Sequence, residues 1–157
     1  MEEEKWINRF LGLARHVSRW SKDPSTKTGA IIVSPSNMII SLGYNGFPQG
    51  VKDDPADYRD RETKYERIIH SEVNAILAAS SSLDSCTLYC YPLMPCARCA
   101  TLVIQTGIST VVFPYSEDSA VLTRFKQSHE HAIDLFQEAG VNLICYEGKI
   151  SYEGELS

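Results

Sequence analysis

The feature that most restricts the fold is a regular alternation of two hydrophobic periods over residues 86–146. Short runs rich in β-branched and aromatic residues at 86–91, 109–113 and 141–146 read as strands. The longer stretches between them, 96–106 and 118–139, carry apolar residues at three- and four-residue intervals and read as helices. Gly107 and Gly140 stand where a helix is commonly ended by a residue in the left-handed region, which marks both helix-to-strand boundaries. Strands alternating with helices in this way specify an α/β fold.

Upstream, Trp6, Ile7, Phe10, Leu11, Ala14, Val17 and Trp20 recur on one face of a helix predicted over 4–20. Two apolar runs, 28–34 and 38–44, flank Ser34-Pro35-Ser36-Asn37 and predict an antiparallel strand pair. Residues 45–57 are rich in Gly, Pro and Asp and predict a surface loop, long enough to be functional. A short charged helix is expected at 58–69 and a buried one at 71–79, with Val73, Ile76, Leu77 and Ala79 toward the core and the break near His70. With 157 residues and 43% hydrophobic content, one domain spanning 1–157 is expected, its polar tail from 147 peripheral or mobile.

No stretch approaches the roughly 20 apolar residues that cross a bilayer, and Met1-Glu2-Glu3-Glu4 is unlike a secretory signal, so a cytoplasmic protein is expected. Five cysteines in such a chain imply reduced thiols rather than a disulfide framework. Cys86, Cys90 and Cys145 are expected to pack as small hydrophobes, leaving Cys96 and Cys99 as a metal or redox pair. The net charge of -5 argues against binding a nucleic-acid backbone and for a small substrate, despite the local cluster Arg59, Arg61, Lys64 and Arg67.

Cys96 and Cys99 follow Pro95 directly and so fall in the first turn of a helix, where residues three apart share a face and both sulfurs can reach one ion. Unpaired N–H groups at a helix start favour thiolate, the form zinc requires. His70, also at a helix start, can supply a third ligand. Three protein ligands leave a position open for water, as in catalytic zinc sites, whereas structural zinc is usually closed by four. Glu72 can then move protons. Residues two apart diverge on a helix, so His70 and Glu72 share a site only if the helix boundary falls at His70. His129-Glu130-His131 reads, by the same divergence, as solvated surface rather than a second metal site.

His70-Ser71-Glu72 with Pro95-Cys96-Ala97-Arg98-Cys99 resembles the H-x-E and P-C-x-x-C signature of the cytidine and deoxycytidylate deaminase superfamily. The run Ser21 to Ala30, the loop Gly43-Tyr44-Asn45-Gly46-Phe47-Pro48 and Lys64-Tyr65 resemble its deoxycytidylate branch. The resemblance implies a five-stranded mixed sheet sandwiched between helices, a Zn2+ cofactor on His70, Cys96 and Cys99, and hydrolysis of dCMP to dUMP and ammonia with Glu72 carrying the protons. It also implies a sugar contact at Asn45, phosphate contacts near Lys64, Tyr65 and Lys27, and a homo-oligomer, hexamers being common. The chain departs from the family at Ser71, where Ala, Val or Gly is usual and where a hydroxyl could meet the base edge. It departs again at Ser80-Ser81-Ser82, in place of the Arg-containing segment of members controlled by dCTP and dTTP. The competing readings are a deaminase of dCTP, a modified dCMP or adenosine in tRNA, and a zinc-binding module without activity.

Overall fold

A computed structural model describes residues 2–151 and consists of five strands between two helical layers. The elements are α1 (Glu2–Ser18), β1 (Gly29–Val33), β2 (Ile39–Tyr44), α2 (Pro55–Arg59), α3 (Arg61–Arg67), α4 (Ser71–Ala78), β3 (Thr87–Tyr91), α5 (Ala97–Gln105), β4 (Thr110–Pro114), α6 (Ser119–Ala139) and β5 (Asn142–Tyr146). Strand order is β2-β1-β3-β4-β5. β1 runs antiparallel to β2 and β3, whereas β3, β4 and β5 are parallel. The sheet is therefore mixed, because the β1–β2 hairpin is grafted onto two helical crossovers.

Alternation along β1 serves both layers. Ile31 and Val33 face Phe10, Leu11, Ala14 and Val17 of α1, while Ala30 and Ile32 face a cluster holding Ala75 of α4, Val103 of α5 and Phe136 of α6. Cys86 and Cys90 are buried as expected, but Cys145 is exposed on β5. Positive φ at Gly107 (88°) and Gly140 (77°) ends α5 and α6 where the sequence placed those stops.

Several boundaries differ from expectation. The predicted loop at 45–57 closes early, because Asp54 caps α2 by accepting from the Ala56 N–H at 2.9 Å and Pro55 occupies the first turn. The single helix expected at 58–69 is two, broken at Asp60. Leu77 is 70% exposed rather than in the core; α4 buries Ser71, Glu72 and Ala75 instead. At the tail, Asn8 Nδ2 donates to the Lys149 carbonyl at 2.7 Å and Ile150 packs on the α1 side; the rest of the expected tail, 152–157, lies outside the described residues.

Gly43 sets the seating of α4. A Cβ there would lie 2.5 Å from both the Ala75 backbone nitrogen and the Ser71 carbonyl oxygen, backbone atoms that cannot swing aside. Gly43→Ala is expected to lift α4 from β2 and cost about 1–3 kcal/mol, measurable as a lowered Tm in a folded variant. Activity should fall with it, because α4 carries Glu72.

Candidate active site

Two chain segments are stopped just short of a helix and face each other. His70 is the N-cap of α4 in extended conformation (φ -71°, ψ 155°), and Cys96 is the N-cap of α5 in the same state (φ -68°, ψ 170°). The approach to His70 is pinned by a two-bond bridge: the Gly46 N–H donates to Ile69 O at 3.1 Å and the Ile69 N–H to Gly46 O at 2.8 Å. His70 does not spend its side chain on its own helix. His70 Nδ1 instead lies 3.2 Å from Cys99 Sγ and 3.5 Å from Cys96 Sγ. The extended backbone at His70 also lets Glu72, two residues on, line the same cleft.

These spacings can be tested against a metal. A tetrahedral zinc with Zn–S near 2.3 Å and Zn–N near 2.0–2.1 Å holds N and S about 3.5 Å apart. The three donor atoms all lie within 4.8 Å of one another, and the set, one imidazole and two thiols, suits zinc. Hydrogen bonding from Cys99 and His70 overcomes burial to bring the Cys96 thiol down to about 4, and Cys99, as the proton's keeper, is pushed well above the usual thiol range. The hydrogen bond to Cys96 raises His70, against the opposing effect of burial. One sulfur is thus prepared as the thiolate that a metal needs.

Glu72 is 6% exposed, and burial pushes its carboxyl upward, a rise opposed by the positive charge of His70. Ser71 is fully buried: its hydroxyl accepts from Thr28 Oγ1 at 3.0 Å and approaches Glu72 Oε2 at 3.5 Å. The Ser71 hydroxyl therefore links Thr28 to the carboxylate.

The cleft beside the metal donors runs past Thr28, Asn45, Thr26 and Lys64. Asn45 is buried in its wall and ties a loop together: Oδ1 accepts from the Thr28 N–H at 2.9 Å, and Nδ2 donates to Thr26 O at 2.8 Å and Asp23 Oδ2 at 3.3 Å. Lys64 is ion-paired with the buried Asp23 at 2.7 Å and donates to Ser25 Oγ at 2.7 Å. Burial alone would raise Asp23, but Lys64 and the Ser25 N–H hold its carboxyl below the usual range. Tyr65 lines the cleft but is 61% exposed, its hydroxyl accepting from Arg61 Nε at 3.3 Å. Lys27 is exposed, donates to the Ser21 carbonyl and is not among the cleft's lining residues.

Three cleft residues lie on α6: Arg124 and Phe125, which the sequence did not single out, and His129, which it placed on the solvated surface. His129 is not solvated surface. It is half-buried, its ring stacks on Phe125 with centroids 5.8 Å apart, and burial holds its imidazole below the ordinary value against the pull of Cys96. His131 does diverge, being exposed and lining a groove on the other side of His70 and Cys96 that does not include His129. The missed signal was periodic: Phe125 and His129 continue the stripe of Ala132 and Phe136, both fully buried, toward the start of α6.

A His-Cys-Cys donor set at facing helix starts, with a buried glutamate beside it, is the arrangement of zinc-dependent deaminases. This chain belongs to the cytidine and deoxycytidylate deaminase family, matching the profile described as "Cytidine and deoxycytidylate deaminase zinc-binding region" over residues 4–115. It is 43% identical over 139 residues to an uncharacterized deaminase in the luxG 3' region of Aliivibrio fischeri, covering 88% of this chain and 92% of that one. It is 36% identical over 157 residues to the deoxycytidylate deaminase of Homo sapiens, covering 94% and 83%. The fold matches the dCMP deaminase of cyanophage S-TIM5 in apo form with TM-score 0.71 at 25% identity, covering 93% of this chain and 99% of that one. The same enzyme in complex with dCMP and dUMP matches with TM-score 0.69 at 25% identity, covering 88% and 94%.

Proposed function

We propose that this chain hydrolyses dCMP to dUMP and ammonia, consuming one water, with His70, Cys96 and Cys99 as zinc ligands and Glu72 as the proton carrier. The observation that carries this reading is the buried Glu72 carboxyl in the cleft wall beside the three donors. Its likeness to the cyanophage enzyme that binds dCMP and dUMP names the substrate. When bound, zinc supplies Lewis-acid activation of water. Glu72 would take a proton from the attacking water and pass it to N3 of the pyrimidine as the C4–O bond forms, then take the proton of the new C4 hydroxyl and give it to the amine as the C4–N bond breaks and ammonia leaves. A carboxyl whose proton affinity is raised by burial is suited to both transfers. Asn45 keeps one Oδ1 lone pair beyond its bond to Thr28, which leaves an acceptor for a sugar hydroxyl.

The reading includes one domain, a cytoplasmic location and a homo-oligomer, with a hexamer as the expected size. Among the described residues no helix is long and apolar enough to cross a membrane. Exposed Leu77 on α4 and Leu102 on the packed neighbour α5 offer apolar surface for subunit contact.

The test is ammonia release by the zinc-loaded protein offered dCMP, dCTP, CMP, deoxycytidine and adenosine-containing RNA. The highest kcat/KM is expected for dCMP. Preferential turnover of dCTP or of the RNA, or none of any cytosine nucleotide with zinc in place, would overturn the reading.

A further inference from the structure

The cleft needs a cation for a nucleotide's phosphate, and the residues suggested by the sequence already hold other partners. Lys64 already faces the buried carboxylate of Asp23 at 2.7 Å, Lys27 is bonded to the Ser21 carbonyl, and the Tyr65 hydroxyl is taken by Arg61. Arg124 is differently situated. From α6 it reaches across to the loop before β1, where Nη2 donates to Thr26 Oγ1 at 3.0 Å, and its guanidinium lies 4.6 Å from the centroid of the Phe125 ring. Among the described residues it has no carboxylate partner. It lines the same cleft as His70 and Glu72, but at the Thr26 side of the wall.

We infer that Arg124 is the residue by which this chain selects a nucleotide over a nucleoside, binding the 5′-phosphate together with the Thr26 hydroxyl. The inference rests on the dCMP reading above and deepens it. A guanidinium offers five N–H donors, and Thr26 occupies one, so a phosphate can take two in parallel without displacing the aromatic support beneath. The phosphate becomes the missing anionic partner in a protein whose net charge of -5 would otherwise repel it. Lys64, held by Asp23 and Ser25, keeps the Thr26 loop in position. Arg124 lies beyond the family-matched residues 4–115, so this selectivity is set by α6 and not by the zinc-binding region.

The test compares wild type with Arg124→Gln and Arg124→Lys. Arg124→Gln is expected to weaken dUMP binding, measured by titration calorimetry, by about 10- to 100-fold, the usual worth of a lost charge-assisted contact. The kcat/KM preference for dCMP over deoxycytidine should narrow by the same factor, through KM, with zinc content and Tm unchanged. Arg124→Lys, which keeps the charge but not the fork, should recover part of the loss. Unchanged dUMP affinity in Arg124→Gln would overturn the inference, as would equal losses on dCMP and deoxycytidine or a loss that Arg124→Lys does not relieve. A wild-type protein that ignores dCMP and turns over another substrate would overturn the functional reading instead, so the two failures are distinguishable.

Discussion

Replacing Glu72 by glutamine is expected to lower kcat by about 10²- to 10⁴-fold, the usual contribution of a positioned general acid–base, while zinc content stays at the wild-type level. The amide has the shape of the carboxyl and keeps an oxygen to accept from Ser71, but it cannot take up and release a proton. Because burial disfavours the charged form of Glu72, the neutral amide should leave Tm unchanged or raise it. Steady-state ammonia release, zinc quantification and thermal melting on one preparation check all three. Unimpaired turnover would remove Glu72 from the chemistry, and zinc loss would make it a support of the metal site instead.

Cys96→Ser should have a still larger effect. A neutral hydroxyl cannot replace a thiolate as a zinc ligand, so zinc should fall well below one per chain. Turnover should drop by more than about 10⁴-fold, since free water near neutral pH lacks the activation that lowers its pKa from about 15.7 to about 7 on zinc. Cys145→Ser, on the exposed part of β5, should keep both metal and activity. Retention of stoichiometric zinc by Cys96→Ser would refute the assigned ligand set.

The layers of this fold were legible because they are written in periods. Each strand and helix over 86–146 lies where its hydrophobic spacing put it, to within a residue or two. The metal donors were legible for a related reason: their spacing is local to two helix starts, and His70 and Glu72 face one cleft only because the helix begins between them. What stayed hidden depends on partners far along the chain. Nothing near Lys64 reveals that Asp23 will neutralise it, and nothing near Ser71 shows that Thr28 will claim its hydroxyl. The Asp54-Pro55 helix start was visible but lost in a stretch dense with turn residues. Leu77 misled because α4 is amphipathic in an unusual sense: the face turned inward carries Ser71 and Glu72 along with Ala75, leaving the leucine outside.

The connection from α4 to β3 has a practical meaning. His70 begins α4 and Cys96 follows the end of β3, so both donors sit at one end of these elements, while the exposed Ser80, Ser81 and Ser82 sit at the other. An eight-residue helix, roughly 12 Å long, separates that turn from the chemistry. The serine turn is thus a natural splice point: a reporter, affinity tag or ligand-responsive module can be inserted there without stretching the span that holds the metal donors in register.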